Sequence, residues 1–209
     1  TVLKIYPTLV VPGTGLYKMY QEDKFNPYTT EEVIDLLAKV KKEIPPWVRI
    51  MRIQREISEE FIEAGTGKGN IRELIMAKMK ENGDECKCIR CREIGLKQLR
   101  EKLEIQEYDI EIKNTRYESS EGEEYFISAE EKNSKSLIGF VRMRIPSDKA
   151  HRKEIVENTA IIRELETFSD RIGTFKVDTF KIPSNGKFGQ WTVAVSSDEN
   201  IVCLLYTSP

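Results

Sequence analysis

Three cysteines lie close together in the run ECKCIRCREIG, and their side chains could hold a metal ion: Cys86, Cys88 and Cys91. The one histidine of the sequence, His151, follows 60 positions after Cys91. Three thiolates and one imidazole are the ligand set of a closed, tetrahedral structural zinc site. Thiols separated by so few residues converge on one ion with little loss of loop-closure entropy. The sequence therefore predicts a zinc site that stabilises structure and leaves no open position for a substrate.

The fourth ligand is the part of this prediction that the residues leave open. The long separation of His151 from the cysteines does not fix its place, and Asp84, Glu85 or a water molecule are alternatives. An iron–sulfur cluster suits the tight Cys-x-Cys pair less well than zinc. The alternative without metal is three free thiols in a loop and a surface histidine. The fourth cysteine, Cys203, is far from the cluster in sequence and is excluded from the site.

A second group of candidate functional residues is a set of arginines. Residues 39–102 contain 16 Lys and Arg against 11 Asp and Glu, whereas residues 103–133 contain 3 against 10. Guanidinium groups pair with phosphates and stack on unpaired bases, so this basic stretch is a candidate RNA surface. The alternative is that these arginines form solvated faces and internal ion pairs, for example with Glu56, Glu73 and Glu93. The candidates, with Trp47 nearby, are Arg49, Arg52, Arg55, Arg72, Arg90 and Arg92.

Other arrangements that could do chemistry are weaker. The glycine-rich stretches at 13–15 and 65–70 match no nucleotide-binding fingerprint. The second stretch opens a helix whose N-terminus could favour an anion, but a tight turn explains it better. The carboxylates show no pairing that identifies an acid–base dyad, and no serine–histidine arrangement indicates a nucleophile.

Composition limits the class of protein. The net charge is -2, so there is no overall basic signal for nucleic acid, and 33% charged residues indicate a well-solvated surface. No apolar run reaches the roughly 20 residues that span a bilayer, and the start lacks the pattern of a signal peptide. Clustered cysteines favour metal ligation in a reducing compartment over disulfides. We therefore expect a cytoplasmic protein without membrane contact.

The elements that position the cysteines begin with a predicted strand–helix–strand unit of the α/β kind. An almost wholly apolar run over residues 2–12 predicts a strand covered on both faces, as in a parallel sheet. Thr29 and Glu32 form a capping box before a helix at 30–43, which the prolines at 45 and 46 end. Residues 47–53 read as the next strand. The apolar stripe of the helix consists of Val33, Leu36, Leu37, Val40 and Ile44.

A second helix and an antiparallel meander are predicted after this unit. Asn70 and Glu73 form another capping box, and Gly83 ends the helix before the cysteines. Its apolar stripe consists of Ile71, Leu74, Ile75 and Met79. A short helix at about 96–103 follows. Alternating patterns then predict strands at 105–115, 124–131 and 136–145, separated by polar turns, with a further strand at 158–164.

Four separated segments together resemble the catalytic subunit of Elongator, especially its archaeal form: KIYPTLVVPGTGLY, PPWVRIMRIQREI, GNIRELIMAKM and CIRCREIG. The resemblance runs from about residue 1 to 165 and includes SLIGFVRMRIPS and TAIIREL. It implies a late part of a radical-SAM partial TIM barrel at 1–83, a zinc-binding linker at 84–104 and the first strands of a GNAT-like acetyltransferase domain at 105–165. It also supports His151 as the fourth zinc ligand and places the loop at 13–15 near bound S-adenosylmethionine.

The resemblance implies a function for the whole enzyme. Such enzymes cleave S-adenosylmethionine at a 4Fe-4S cluster and use acetyl-CoA to install a carboxymethyl group at carbon 5 of uridine 34 in transfer RNA. The implied cofactors are therefore zinc in this chain, and the 4Fe-4S cluster, S-adenosylmethionine and acetyl-CoA in the full-length enzyme. The implied partners are tRNA and either other Elongator subunits or a second copy of the chain.

Two departures from the family pattern lead to further expectations. The cluster-binding cysteines lie upstream in the family and are absent here, and no Gly-x-Gly acetyl-CoA loop follows residue 165. We expect a chain truncated at its start, divergent or chimeric and β-rich over 166–209, and catalytically inactive by itself. The alternative function is a non-catalytic, zinc-stabilised RNA-binding or scaffold module.

Overall fold

The computed structural model describes residues 2–101, 109–150, 155 and 160–168, together with the backbone of four short strands between 175 and 195. The chain divides into two compact units, residues 1–91 and 92–209. The division falls directly after Cys91, inside the stretch that contains the clustered cysteines. The first unit alternates strands and helices, and the second is dominated by antiparallel strands.

The first unit is built around two parallel strands. Strand β1 (Val2–Lys4) pairs with β2 (Arg49–Arg52), and helices α1 (Gly15–Gln21) and α2 (Thr30–Glu43) lie between them in sequence. A 3-10 turn follows β2, and helices α3 (Ile71–Glu81) and α4 (Ile89–Arg92) come next. Because the two strands are parallel and joined through helices, the predicted α/β unit is confirmed.

The apolar run at the start of the sequence does not form one long buried strand. Strand β1 ends at Lys4, and Val2 is 43% exposed. Residues 5–9 have no regular structure, while Val10 is fully buried and forms an isolated antiparallel bridge to Ala64. Prolines at 7 and 12 supply no amide hydrogen for a strand ladder. The prediction of a buried strand through residue 12 is therefore wrong.

Helix α2 begins at the predicted capping box. The Thr29 hydroxyl accepts a hydrogen bond from the Glu32 amide at 3.3 Å, and the Glu32 carboxylate accepts one from the Thr29 amide at 2.8 Å. The second predicted box is wrong. Asn70 precedes α3, but its side chain makes no capping hydrogen bond, because its backbone (φ -99, ψ 20) lacks the extended conformation of an N-cap.

These two positions make a matched pair for measuring the cap. Thr29→Ala should lower the free energy of unfolding of the first unit by about 1 kcal/mol, because the Glu32 amide loses its acceptor. Asn70→Ala should change the free energy of unfolding by only a few tenths of a kcal/mol, because Asn70 makes no capping hydrogen bond. Chemical denaturation of both variants checks the difference, and equal losses would contradict the assigned cap.

The core of the first unit lies between α2, α3 and β2. Its buried members include Val33, Leu37, Ile50, Ile75 and Met79, and Cys86 and Cys88 belong to the same cluster. Leu36, predicted on the apolar stripe, is 46% exposed. At 100° per residue the buried face of α2 is centred between positions 37 and 41, and Leu36 falls outside it. The predicted stripe of α3 is confirmed, with Leu74 half-buried.

Gly83 terminates helix α3 as predicted, two residues after the last helical residue, Glu81. The segment that carries the cysteines follows directly. Gly83 has a positive φ of 72°, which glycine adopts without strain. Its amide bonds to the Lys80 carbonyl at 3.1 Å, and the Asp84 amide bonds to the Met79 carbonyl at 2.8 Å. This pair of bonds is a Schellman motif. The turn therefore fixes the direction in which the chain leaves the helix towards Cys86.

The glycine-rich stretches serve backbone roles. Thr14 caps α1, a short helix that the sequence analysis missed, by accepting from the Tyr17 amide at 3.2 Å. Gly65 has a φ of 104°, and a Cβ there would lie 2.8 Å from the Thr8 carbonyl oxygen. Only glycine fits such a close approach at positive φ. The turn interpretation of both stretches accounts for these contacts.

The second unit contains the predicted antiparallel meander. After α5 (Ile94–Glu101), strands β3 (Ile110–Ser119), β4 (Gly122–Glu131), β5 (Leu137–Ile145) and β6 (Ile161–Thr167) pair in sequence order. Further along, short strands β7 to β10 pair as β7 with β10 and β8 with β9. They span Phe175–Lys176, Phe180–Ser184, Lys187–Trp191 and Ala194–Val195.

The first hairpin shows why the predicted strand ends were displaced. β3 and β4 are joined by two residues, Ser120 and Glu121, with φ of 47° and 63°. Two consecutive positive φ values are typical of the tight turn that matches strand twist. The pairing therefore continues to Ser119, four residues beyond the predicted end. Strand β6 likewise begins and ends three residues later than predicted.

The central strands of this sheet are buried on both faces. One face is apolar, with Tyr125, Ile127, Val141 and Met143 packed together. The opposite face carries Arg142, which is 2% exposed and lies over the rings of Phe126 and Phe140 at 5.7 and 5.8 Å. A charged residue on a buried face needs partners, and the structure supplies them.

Arg142 is part of a network of charged and hydroxyl groups. It donates to the Glu164 carboxylate at 2.9 Å and to the Tyr117 hydroxyl at 2.6 Å, and Tyr117 donates to Glu124 at 2.6 Å. Arg144 and Arg163 also donate to Glu124. Burial opposes ionisation of Glu124, but these donors outweigh it and lower its pKa. Burial and the bond to Glu124 raise the pKa of Tyr117 to about 12.

A second buried carboxylate closes the turn between β4 and β5. Glu131 is 4% exposed and accepts hydrogen bonds from the Asn133 amide at 2.9 Å and from the Ser134 amide. Burial acts to raise its pKa, but hydrogen bonds from Ser134 and Asn133 prevail and lower the pKa to about 2. The ionised carboxylate therefore stabilises this turn.

Stability should fall in acid because of this group. A carboxyl whose pKa is depressed in the folded state stabilises above its unfolded pKa of about 4.3 and loses that contribution as the pH falls towards its folded pKa. We expect Glu131→Gln to lower the unfolding temperature at pH 7 and to flatten its dependence on pH between about 4.5 and 2. The exposed Glu118→Gln variant on β3 is the control. A pH profile unchanged by Glu131→Gln would contradict the assignment.

Candidate metal centre and basic cleft

The three clustered cysteines converge at the end of the first unit. The Sγ atoms of Cys86, Cys88 and Cys91 all lie within 4.8 Å of one another. Around a tetrahedral zinc ion with Zn–S bonds of about 2.3 Å, thiolates lie roughly 3.8 Å apart. Small side-chain adjustments would bring the three sulfurs to that spacing. The donor set and its geometry therefore fit a metal ion of the zinc type.

The loop that carries the thiols is docked on the core. Cys88 is fully buried, Cys86 is 8% exposed, and both pack with α2 and α3. The Ile89 amide donates to the Val48 carbonyl at 3.0 Å, which ties the loop to the residue preceding β2. The Cys91 amide donates to the Cys88 carbonyl at 3.1 Å and tightens the loop. Backbone contacts thus hold the sulfurs together.

A buried lysine, which is not among the residues predicted for this site, also contacts the thiols. Lys41, on α2, is fully buried, and its Nζ donates to the Cys91 Sγ at 3.4 Å. The Met76 sulfur lies 4.0 Å from the same Sγ. Burial disfavours the Lys41 ammonium, but the thiols, with Cys91 foremost, outweigh it and raise its pKa.

The thiols ionise as a coupled group. Hydrogen bonds from Cys86 and Cys91, aided by Lys41, lower the pKa of Cys88. Hydrogen bonds to Cys86 and Cys88, together with burial, raise the pKa of Cys91. These hydrogen bonds therefore favour the thiolate at Cys88 and the protonated thiol at Cys91. A divalent cation would supply the positive charge that lets all three thiols ionise.

The two acidic alternatives for the fourth ligand do not group with the thiols in the structure. Asp84 is ion-paired with Lys42 at 2.8 Å, and Glu85 is exposed. Within the described residues, the group of possible metal ligands at this place consists of the three cysteines. His151 lies outside the described residues, and its role as a ligand stays a prediction. Cys203 also lies outside them.

Three of the predicted arginines border one cleft of the first unit. Arg52 and Arg55 are exposed at the end of β2, and Arg72 is half-buried on α3. Arg52 pairs with Glu56 at 3.3 Å, as the alternative interpretation expected, and Arg55 lies over the Tyr6 ring at 5.3 Å. Arg72 donates to the Ile50 and Met51 carbonyls at 3.0 and 3.2 Å.

The remaining predicted arginines differ in their surroundings. Arg49 and Arg90 are half-buried and have contacts of their own. Arg92 is buried in the second unit and donates to the Glu130 carboxylate at 2.7 Å. An arginine held in a buried ion pair is not free to bind phosphate without leaving its partner uncompensated. Arg92 therefore fits the internal ion-pair interpretation.

The cleft itself has a volume of about 540 Å³ and a mixed lining. Its walls include Met51, Ile53 and Gln54, whose Nε2 donates to the Gly67 carbonyl at 3.0 Å. Glu56 and Glu59 face the same space as the arginines. The cleft therefore offers both signs of charge and apolar surface, unlike a purely anionic or cationic site.

Similarity to known proteins defines the class of the first unit. Residues 1–81 match the family model of the Radical_SAM C-terminal domain. A solved structure of the archaeal Methanocaldococcus infernus Elp3 with an N-terminal deletion superposes with a TM-score of 0.76 at 37% identity, covering 91% of this chain and 42% of that one. The predicted α/β fold is thus confirmed, with a first unit of the radical-SAM type and a fold shared with that archaeal protein over 91% of this chain.

Curated relatives make the relationship more specific. Elongator complex protein 3 of Dictyostelium discoideum is 38% identical over 184 residues, and that of Saccharomyces cerevisiae is 37% identical over 186 residues. The human protein is 34% identical over 184 residues. Each alignment covers 88% of this chain and 33% of the relative. The chain is a homologue of Elongator complex protein 3 that spans about a third of the length of these relatives, and the predicted resemblance is confirmed.

One further observation concerns membranes. None of the helices in the described part of the chain is both long and apolar enough to cross a bilayer. The longest, α2, has 14 residues and carries charged side chains in its first and last turns.

Proposed function

We propose that this chain is part of an Elongator-type enzyme that modifies the wobble uridine of transfer RNA. The observation that supports this most strongly is the extent of the similarity to Elongator complex protein 3. An alignment of 184 residues is longer than either compact unit, so it includes residues on both sides of the cysteines. The whole arrangement, and not one isolated motif, is shared with those relatives.

In this proposal the chemistry is supplied by groups bound to the full-length enzyme. A 4Fe-4S cluster with S-adenosylmethionine supplies radical chemistry, and acetyl-CoA supplies the carbon atoms of the carboxymethyl group placed at carbon 5 of uridine 34. Residues 1–83 form part of the radical-SAM barrel, and residues 105–165 form the first strands of a GNAT-like acetyltransferase domain. The cluster-binding cysteines of that family are not among these 209 residues, so the proposal assigns no cluster ligand to this chain.

Zinc at Cys86, Cys88 and Cys91, with His151 as fourth ligand, has a structural role in this proposal. The sulfur ligands favour zinc over magnesium or calcium. Their spacing supports zinc over an iron–sulfur cluster, and their burial among apolar side chains supports stabilisation over catalysis. The ion would hold residues 84–104 as a linker.

The basic rim of the cleft is the proposed contact with transfer RNA. Arg52 and Arg55 are exposed at the carboxyl end of β2, and Arg49, Arg72 and Arg90 would add charge nearby. Unpaired bases of an anticodon loop can stack on guanidinium groups and aromatic rings, such as the Arg55 and Tyr6 pair. Arg92 is omitted because it is buried against Glu130. Other subunits of an Elongator complex are further partners in this proposal.

Transfer-RNA binding by the whole chain tests this contact. The double substitution Arg52→Ala with Arg55→Ala should weaken binding about 10-fold at low salt. It should also reduce the slope of log affinity against log salt by about 1 to 2, because up to two phosphate contacts are lost. Filter binding or fluorescence anisotropy over a salt series measures both quantities.

The control removes the same charge elsewhere in the first unit. Lys18→Ala with Lys24→Ala changes two exposed lysines on and after α1, and it should leave the salt slope close to that of the unsubstituted chain. Equal effects of the two double variants would indicate a general charge effect. Binding that is indifferent to salt, or unchanged by the arginine substitutions, would reject the RNA contact.

A further inference from the structure

The buried ammonium of Lys41 lies beside the thiol cluster and needs a negative charge to compensate it. Lys41 is fully buried on the inner face of α2, next to the apolar residues Leu37 and Ala38. Removing an ammonium from water is unfavourable unless an anion compensates it. In the described part of the chain, no carboxylate lies within ion-pair distance of its Nζ. Its neighbours are the thiols, with Cys91 at 3.4 Å.

The neighbouring lysine, Lys42, has its charge compensated by a carboxylate. Lys42 is exposed and forms an ion pair with Asp84 at 2.8 Å. Lys41 lies one residue away on the same helix and points instead to the sulfurs, through a contact that links residues 50 positions apart. Neutral thiols would leave its charge uncompensated, whereas thiolates bound to a metal ion would compensate it.

We propose that Lys41 is the charge partner of the metal site and increases its affinity for zinc. Three thiolates carry one more negative charge than a zinc ion neutralises, and the Lys41 ammonium supplies the missing positive charge. The N–H···S contact with Cys91 also holds that ligand in place, as groups next to metal ligands commonly do. This role rests on the proposed zinc site and adds to it a residue that is not itself a ligand.

The charge balance has a consequence for the fourth ligand. With Lys41 beside the thiolates, a neutral imidazole or water makes the buried group neutral as a whole, and a carboxylate would leave it negative. Asp84 is already paired with Lys42. A neutral fourth ligand is therefore favoured.

Substitution at position 41 tests the proposal in the whole chain. Lys41→Met keeps most of the unbranched side chain and removes its charge, Lys41→Arg keeps the charge, and Lys42→Met is the matched control on the same helix. Zinc affinity is measured by competition with a chromophoric chelator, and cobalt(II) absorption reports thiolate coordination. We expect Lys41→Met to weaken zinc binding about 10- to 100-fold. Lys41→Arg should recover most of that loss, and Lys42→Met should change the affinity less than twofold.

A second measurement separates charge from packing. A side chain that only fills space would shift the unfolding temperatures of the zinc-free and zinc-bound chain equally. A charge partner makes the zinc-induced rise smaller in Lys41→Met than in the unsubstituted chain. An equal rise, or zinc affinity equal to that of Lys42→Met, would overturn the role of Lys41. So would equal loss of zinc in Lys41→Met and Lys41→Arg, because only the shape of lysine would then matter.

The outcomes also distinguish failure of the zinc site from failure of the role of Lys41. If the unsubstituted chain binds no zinc and gives no thiolate absorption with cobalt(II), the zinc site itself is rejected, and the role of Lys41 with it. If the unsubstituted chain binds zinc and Lys41→Met binds it as tightly as Lys42→Met does, the zinc site stands and the role of Lys41 as its charge partner is rejected. If Lys41→Met folds but binds zinc about 10- to 100-fold more weakly, while Lys41→Arg binds zinc nearly as tightly as the unsubstituted chain, the proposal is supported.

Discussion

If the three thiols hold zinc as proposed, Cys88→Ser is expected to abolish zinc binding and to destabilise the first unit strongly. Cys88 is fully buried and packs in the core of α2 and α3, so its loss affects both metal binding and packing. Structural zinc contributes on the order of 10 kcal/mol to the folding of small zinc domains. A domain is usually stable by only about 5–15 kcal/mol. We therefore expect most of the first unit to be unfolded at physiological temperature.

Metal analysis and thermal unfolding measure this result. The unsubstituted chain should carry one equivalent of zinc, and a strong chelator should lower its unfolding temperature. The Cys88→Ser chain should carry much less metal and respond little to the chelator. Cys203→Ser is the matched control, because it removes the cysteine outside the cluster. If Cys88→Ser retains a full equivalent of zinc, or the chelator has no effect on the unsubstituted chain, the structural zinc site is wrong.

The second large effect is expected from Arg142→Ala in the sheet of the second unit. Arg142 is 2% exposed and bonds to both Glu164 and Tyr117. Its removal leaves a cavity over the rings of Phe126 and Phe140 and takes away the charged partner of Glu164. Breaking a buried pair by removing one partner costs about 3–5 kcal/mol. The unfolding transition assigned to the second unit should therefore move to much lower temperature.

A surface ion pair in the same sheet provides the comparison. Arg116 lies on β3, is 59% exposed and pairs with Glu123. Arg116→Ala should cost less than about 1 kcal/mol, because exposed pairs contribute little. A double-mutant cycle with Glu164→Gln isolates the coupling between Arg142 and Glu164. Equal losses from Arg142→Ala and Arg116→Ala would show that the buried network does not stabilise the sheet.

The features predicted best from the sequence are those that depend on neighbouring residues. The bounds of α2, its capping box and the Gly83 stop follow from side chains within one or two turns of each other. The three thiols were found for the same reason. A spacing of a few residues fixes which groups can meet, whatever the remainder of the chain does.

The features predicted worst depend on contacts across the chain. The sequence predicts Arg92 as an RNA contact, but it pairs with Glu130, which lies 38 residues away in sequence. Lys41 follows the apolar positions Val33 and Leu37 at helical spacing, and a charge on that stripe was the available signal for a buried role. Its partner Cys91 lies 50 residues away. Neither pairing can be read from local pattern, because side-chain type alone does not identify a distant partner.

The docking of Ile89 onto the Val48 carbonyl also bears on the order of events during protein synthesis. The contacts of the thiol loop with Val48, Lys41 and Met76 all come from residues that leave the ribosome before Cys91. The four-stranded sheet, in contrast, needs residues as late as Thr167 before β6 can pair. Domains tend to fold as units in the order of translation. On the proposed zinc site, metal capture by the three cysteines would therefore precede formation of the sheet, and zinc supply would act on the nascent chain as well as on the finished protein.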